Sequence, residues 1–510
     1  MAAADIPGIL KELATTGSRF LLSDVAARLG SGGPKKINLA HVRAHLSENN
    51  LAAAPLPGDW AIYRRDITLV LTAEERDRLA QHFQRGFPPR LEELIRDYIA
   101  RKTGKAWNDP VTLERLRRAV QAQKGAFWRK PGGRDISYQK GYATFSYLAY
   151  HFPAYFIQTQ KILLDLVTDG LLPEYFQVMD AGSGTGVVAL AIADFFQTLG
   201  RGEVWVYSIE RSEEAREASR FLVEHYVDRT QVHALPTIDA DLRNLADVKL
   251  PVGLDLAVFS NVLNEVSATE VQARANVVLA IAGYLSANGS IVITEPADKH
   301  NSMELRRTAS LLAQQGLHIH SPCTFLWGGS CLAEECWTFE ELPPIAPTPL
   351  MLALAGEQEG FRYINTDIKF SSSVLRKDDR TRVCLRVPRR AKVARLSQLG
   401  KHVHRRIHII AAVMSGDLGD ASTRVYKVCD GSIRDPVYLM VPRHLNTEAA
   451  YSLSKIRYGA VIAVQNVLVR WNQNHRAYNL LMTQGTTMAQ VLDDKFTGDG
   501  DADEGKYNTS

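Results

Sequence analysis

From Phe176 to Pro296 the chain alternates short apolar runs with amphipathic stretches. FQVMDAG, EVWVYSIE, DLAVFSN and GSIVITEP are compact apolar runs rich in Val, Ile and Phe. Between them, VVALAIADFFQTL, EEAREASRFLVEHYV and ARANVVLAIAGYL repeat their apolar positions at helical spacing. Strands that alternate with helices in this way predict a mostly parallel sheet covered on both faces, hence an α/β fold.

The flanks read differently. Over residues 1–65, ILKELATTG, LLSDVAARLG and LAHVRAHLSENN are helical by period, and PGDWAIYRRD reads as a turn and a strand. Three short helices and a strand resemble a winged helix; a plain helical accessory unit fits equally well. Residues 66–167 read as helices with charged faces, ending in the aromatic-rich SYQKGYATFSYLAYHFPAYF, whose simplest role is to pack onto the next domain. Near the other end, RIHIIAAVMSGD, STRVYKVCDGS, DPVYLMVP, GAVIAVQNVLVRWNQ and RAYNLLMT read as five strands, with the helical TEAAYSLSKIRYG between the third and fourth. That order predicts a small β-barrel of the OB-fold type. The expected division is therefore 1–65, 66–167, an α/β domain over 168–345, a linking segment over 346–405, a barrel over 406–491 and an acidic, disordered tail over 492–510.

Composition adds boundaries to this picture. With 45% hydrophobic and 23% charged residues in 510, the chain is a multidomain globular protein. No apolar run reaches the roughly 18 residues of a membrane span, and MAAADIPGILKELATTG has neither a signal-peptide nor a transit-peptide pattern. The default expectation is a cytoplasmic protein without a membrane partner. Net charge is only +4, but Arg376 to Arg406 is strongly basic, which points to phosphate contact or to a solvated linker.

The sharpest motif is MDAGSGTG, where Asp180 ends a strand and Gly182, Ser183, Gly184 and Gly186 form the turn that opens a helix. Glycines permit the turn and the close approach of a ligand to the backbone. The third glycine of a dinucleotide fingerprint is absent; the run resembles motif I of the class I S-adenosylmethionine-dependent methyltransferases, which implies a Rossmann-like core with that cofactor. Glu210, ending the next strand, is placed to accept both ribose hydroxyls. The resemblance also puts an acidic residue near the adenine, for which Asp239 and Asp241 are equal candidates, and cofactor or substrate groups at FSNVLNEV, with Asn261, Asn264 and Glu265. ITEP, with Glu295 and Pro296, ends the fifth strand. Neither an Asn/Asp-Pro-Pro-aromatic motif nor a nearby nucleophilic cysteine appears there, so the catalytic residues and the accepting atom stay open. Methyl transfer depends mainly on alignment, so the reaction itself is not excluded.

Cys323, Cys331 and Cys336 fall close together in a chain where disulfides are disfavoured, which points to metal or redox chemistry. Together with YLAYHFPAYF, ITEP and KFSSSVLRK, this region resembles the mitochondrial small-ribosomal-subunit assembly factors of the methyltransferase-like class and their bacterial relatives, over about residues 135 to 390. The resemblance implies an iron–sulfur cluster on four cysteines: Cys323, Cys331, Cys336 and, as best candidate for the fourth, Cys384 in RTRVCLRV. Zinc on the same thiolates is the alternative. The spacing PCTFLWGGSC lacks the family's Pro-Cys-Pro-His pattern, which puts the metal in doubt. Cys429, in YKVCDGS, reads as an ordinary core residue.

Tyr426, Tyr438, Trp471 and Tyr478, with Arg470 and Arg476, are aromatic and basic residues of the kind that bind single-stranded nucleic acid on OB-folds. The combined expectation is an RNA-directed methyltransferase acting on the small ribosomal subunit. Its rivals are an inactive assembly factor that keeps the pocket, a small-molecule or protein methyltransferase, and a DNA-binding protein.

Overall fold

The computed structural model describes residues 5–29, 37–127, 141–267, 270–329, 331, 336–356, 360–388 and 390–491. The acidic tail expected over 492–510 lies outside them. The chain divides into two compact units, one of residues 1–295, 342–370 and 376–378, the other of 296–341, 371–375 and 379–510. The helix after the fifth strand and the cysteine segment thus fold with the barrel, whereas sequence order had grouped them with the α/β domain.

The first unit opens with helices Ile6–Thr16, Leu22–Leu29 and Leu39–Leu46 and with strands β1 (Arg19–Leu21), β2 (Leu51–Leu56) and β3 (Asp59–Arg64). The strands pair antiparallel in the order β1-β3-β2, the arrangement of a winged helix. Strand β2 is LAAAPL, and alanine is a poor strand former, so its period went unread. Its small side chains have a packing reason. Ala52 and Ala54 are buried where the Trp205 and Tyr63 rings stack at 5.1 Å and 7°. Trp205 Nε1 donates to the Pro55 carbonyl at 2.9 Å, and Gln177 Nε2 to the Ala53 carbonyl at 3.2 Å.

The central sheet follows, with β4 (Tyr175–Ala181), β5 (Glu203–Ile209), β6 (Val232–Ala234), β7 (Leu254–Ser260) and β8 (Leu285–Pro296). All pair in parallel, in the order β8-β7-β4-β5-β6. This is the strand order of the class I methyltransferase fold. The chain starts at β4, builds outward through β5 and β6, then returns to the other side through β7. The carboxyl ends of β4 and β7 therefore flank a crevice at the point where the order reverses, which is where open α/β sheets bind ligands.

Helix Val187–Leu199 is apolar all round because it is buried nearly throughout; it ends at Gly200, whose φ of 81° only glycine adopts cheaply. Two of the helices in 66–167, Ala73–Gln84 and Phe152–Thr168, pack onto it. Ala73–Gln84 begins with a reciprocal Thr72–Glu75 capping box. Its His82 reaches Asp194 at 2.6 Å, and that same buried carboxylate also accepts from Gln160 and, at 2.5 Å, from Tyr226. One acid thus ties four helices together, and losing its partners would cost about 1–3 kcal/mol for each buried group left unpaired.

In the second unit, helix Lys299–Gln314 is followed by β9 (His318–Ser321), β10 (Glu340–Leu342) and the middle of β11 (Ile368–Arg376). The barrel comprises β12 (Arg406–Val413), β13 (Thr423–Cys429), β14 (Val437–Pro442), β15 (Val461–Asn472) and β16 (Ala477–Leu481), with β17 (Thr487–Gln490) added on β15. Strands β12, β13 and β14 form an antiparallel meander; β14 pairs parallel with β16, β16 antiparallel with β15, and β15 closes on β12. Helix Glu448–Leu453 lies between β14 and β15. This is OB-fold wiring, with Val428, Leu439, Val464 and Leu480 in its core. Among the described residues no helix is long and apolar enough to cross a membrane.

Candidate functional site

A cavity of about 280 Å³ opens at the carboxyl ends of β4, β5 and β7, lined by Gly182, Gly184, Glu210, Asp241 and Asn261 among others. The glycines are required by space as well as by backbone. A Cβ on Gly182, where φ is +75°, would lie 2.5 Å from Val262 Cγ2, and one on Gly186 would lie 2.4 Å from Ser219 Oγ. Gly184 has φ of +53° and nothing within 4 Å of a Cβ position, which leaves its backbone open to the cavity. Ser183 is buried in the turn with its hydroxyl unpaired.

Glu210, Asp241 and Glu265 line this space, and Asp180 is buried close to Glu210 without lining it. Glu210 is fixed by backbone donors, Gly184 N at 2.9 Å and Ser212 N at 2.7 Å. Asp180 is 1% exposed, and neither of its oxygens has a hydrogen-bond partner. Burial, then the nearby Glu210 charge, raises its pKa well above the usual carboxylate range. A buried acid without donors is costly unless a ligand brings donors or positive charge. Asn261, at the end of β7, holds a left-handed φ of 55°, with its Oδ1 buried and unpaired.

The two acidic candidates left equal by the sequence separate here. Asp241 lines the cavity, held by Arg243 and by Arg211 at 3.2 Å. Asp239 lies outside the lining and forms an exposed pair with Arg216 at 2.6 Å; such pairs contribute about 0–1 kcal/mol. Tyr147 and Thr144 line the cavity too, unforeseen from the sequence. The aromatic run that carries Tyr147 had a simpler reading as a packing helix, and its helix Ala143–Tyr150 does pack.

Behind the cavity, Glu295 accepts from Asn264 N at 3.2 Å and is fully enclosed. Burial pushes its pKa up to about 8, against the lowering effect of Arg274. A carboxyl with a folded pKa above its unfolded value holds its proton better when folded. Its contribution to stability is complete below the ordinary carboxylate range and is lost as pH rises through about 8. Wild-type melting temperature should therefore fall across this window, and Glu295→Gln should flatten the fall. Asp255, raised to about 6 by burial, leaves a residual slope in the variant. Thermal melts from acid to mildly alkaline pH check this, and parallel curves for the two proteins would refute it.

The second unit gathers cysteines, none of them in a disulfide. The Cys323 thiol is pushed up to about 12 by burial, and Cys336 and Cys331 are close enough to add to the rise. Cys429 is also raised, by burial first and then by Cys336 and Cys323. Strand β13 therefore brings Cys429 near this group, where it also packs against the apolar cluster of Leu326, Ala412, Met414 and Val461, in keeping with the small core residue read from the sequence. Cys384, the sequence's candidate for the fourth position, is exposed, with its sulfur 3.7 Å from Thr381 Oγ1. Arg306 is buried beside Cys323, Cys336 and Cys331. Among the described residues its hydrogen-bond partners (Thr338, Ser371, the Ser372 carbonyl and Tyr458) are all neutral, and its Nη1 has none. A buried guanidinium costs several kcal/mol unless negative charge balances it, and metal-bound thiolates supply such charge. The donors thus fit a metal group in type and surroundings, while among the described residues no three His, Cys, Asp or Glu side chains already stand at metal-holding distance.

Two family models match parts of the chain. Residues 141–337 match the family model of the mitochondrial small ribosomal subunit protein Rsm22, and residues 397–491 match the C-terminal domain of a family of unknown function, DUF8157. No curated protein matches the sequence significantly. Among solved structures, a candidate O-methyltransferase from Nostoc punctiforme is 13% identical with a TM-score of 0.25, over 35% of this chain and 48% of that one. An S-adenosylmethionine-dependent methyltransferase from Methanosarcina mazei is 12% identical with a TM-score of 0.28, over 42% of this chain and 97% of that one. A candidate rRNA methylase from Clostridium thermocellum is 15% identical with a TM-score of 0.22, over 28% of this chain and 75% of that one. The chain thus spans about half the length of the first of these. The fold assignment rests on the strand order, not on these likenesses.

Proposed function

We propose that this chain is an S-adenosylmethionine-dependent methyltransferase acting on RNA of the small ribosomal subunit or its precursor. The observation that carries the proposal is the glycine-lined cavity at the β4–β7 reversal, with the Asn261 acceptor in its lining and the Asp180 carboxylate buried close to Glu210, neither with a donor among the described residues. The cofactor, when bound, supplies an electrophilic methyl group. Glu210, its carboxylate oriented by the Gly184 and Ser212 amides, accepts the ribose hydroxyls. Asp180 answers the positive end of the ligand. Asp241, steadied by Arg211 and Arg243, borders the adenine side, and Gly182, Ser183, Gly184 and Gly186 let the backbone approach. Asn261 and Tyr147 stand where the acceptor would be oriented. The ribosomal substrate is supported by the family match over residues 141–337 and by the OB-type barrel.

Cys323, Cys331, Cys336 and Cys429 would hold an iron–sulfur cluster, with Arg306 balancing its charge. Zinc on the same four thiolates is the competing assignment. Cys384 is then a surface residue.

The test is transfer of labelled methyl groups from S-adenosylmethionine to small-subunit precursor RNA, with binding followed by calorimetry. Glu210→Gln should weaken cofactor binding by about tenfold to a hundredfold, since hydrogen bonds to charged groups contribute about 1.5–3 kcal/mol each. A cofactor-binding wild type that labels no RNA would favour the second reading, an assembly factor that retains the pocket. That reading draws on the end of β7, where SNVLNEV offers no base-methylation motif and no cysteine lines the cavity among the described residues.

A further inference from the structure

OB-fold barrels bind single strands in a basic groove with aromatic platforms, usually across their second and third strands. Here that face is taken by the chain itself. Lys427 on β13 donates from Nζ to the Trp337 carbonyl at 2.8 Å, Phe339 bridges to Ser415, and a Cβ on Gly431 would lie 3.0 Å from Phe325 Cα. Cys429 faces the cysteine group from the same strand. A ligand must therefore use another side of the barrel.

The side made by the start of β12 and the end of β15 has the required chemistry. His404 N donates to the Val469 carbonyl at 2.9 Å and Val469 N to the Arg405 carbonyl at 3.0 Å, which continues the β12–β15 pairing and sets Arg405 opposite Val469. Arg470 Nη1 lies 2.9 Å from His404 Nδ1. The next residue, Trp471, is 37% exposed, although it is the kind of side chain that usually hides most of its area. Its indole is held rather than loose: Nε1 donates to Gln473 Oε1 at 3.0 Å, and the ring meets Tyr478 edge-on at 4.7 Å and 60°. Arg405, Arg470 and Arg476, at the paired ends of β12 and β15 and in the turn after β15, are all exposed. The carboxylate that acts on Tyr478 in this patch is Asp435. A propped, half-open indole at a barrel end that also exposes three arginines matches a base with its flanking phosphates, and it does not match an apolar partner.

We propose that this side of the barrel grips single-stranded RNA, with a base stacked on Trp471 and backbone phosphates on Arg405 and Arg470. The inference rests on the RNA reading above and adds the surface that reading leaves unspecified. The test uses the full chain and a fluorescein-labelled oligouridylate of about 12 nucleotides, followed by anisotropy over a salt series, with a duplex of equal length as competitor. Trp471→Ala should weaken binding by about tenfold or more, in line with the loss of one base–aromatic stack, while Trp471→Phe retains most of it. Arg405→Ala with Arg470→Ala should lower the salt slope by about 0.7 for each phosphate contact removed. An unchanged thermal midpoint in each variant excludes misfolding as the cause. If wild type and Trp471→Ala bind the oligonucleotide alike, the surface is wrong and the RNA reading survives. If the wild type prefers the duplex, the stacking site is likewise refuted. If the wild type binds neither the oligonucleotide nor precursor RNA, both fall.

Discussion

Cys429→Ser protein, purified without oxygen, is expected to lose most of its iron and acid-labile sulfide, as Cys331→Ser does, while Cys384→Ser keeps both. Three observations point this way. Cys429 and Cys323 are half-buried and close enough to Cys336 to feel its charge, Cys384 is exposed beside Thr381, and the enclosed Arg306 has only neutral hydrogen-bond partners among the described residues. A metal group on this set would tie the segment after β8 to a distant strand of the barrel. Cross-linking a loop on the order of 100 residues contributes about 4–5 kcal/mol in the chain-entropy description, so Cys429→Ser should also melt at a lower temperature. Metal analysis with an absorption spectrum reads the first effect and a thermal melt the second. Retention of metal in Cys429→Ser with loss in Cys384→Ser would sink the assignment of Cys429. Zinc without sulfide, lost in the same variants, would keep the four ligands and change the metal.

Gly182→Val should abolish cofactor binding. The added Cβ would lie 2.5 Å from Val262 Cγ2 and 3.3 Å from Leu242 Cδ1, and both of those residues line the cavity. The backbone there has φ of +75°, which costs a β-branched residue about 1–2 kcal/mol, and forcing the overlap costs about 1–3 kcal/mol more. Relief can come only by moving the walls of the site. Calorimetry should show no heat of binding at concentrations that saturate the wild type, and the melting temperature should drop by several degrees. Gly104, where φ is +66° with open space around a Cβ, supplies the contrast: Gly104→Ala should cost only the backbone strain and leave binding intact. Equal cofactor affinity in Gly182→Val and wild type would remove the loop from the site.

The parts legible in the sequence were those with a strong local signal. Strand–helix alternation marked the sheet, the glycine run marked its turn, and five strands with one inserted helix marked the barrel. What stayed hidden depended on partners remote in the chain. Asp239 and Asp241 are two positions apart and chemically alike; only Arg216 on one side and Arg211 and Arg243 on the other decide which faces the cavity. Cys429 packs against an apolar cluster as its strand position suggested, but its nearness to Cys336 and Cys323 was hidden because strand alternation does not say that a segment from far upstream covers it. Tyr147 was hidden in a helix whose other aromatics pack. Strand β2 was missed because its alanines are explained by Trp205 and by nothing in their own neighbourhood.

That last contact bears on how such a chain can be shuffled. The Trp205 indole and the Gln177 amide sit on central strands of the sheet, yet they complete their hydrogen bonds on Pro55, Ala53 and Tyr63 of the winged helix. The amino-terminal unit is thus a missing wall of the sheet's own interior, not a bead on a string. A recombination event that exchanged it for another module would uncover an aromatic surface and strand two buried donors. Inheritance should keep the pair together, and a foreign module grafted before residue 66 would need its own small-residue strand to lie flat on the indole.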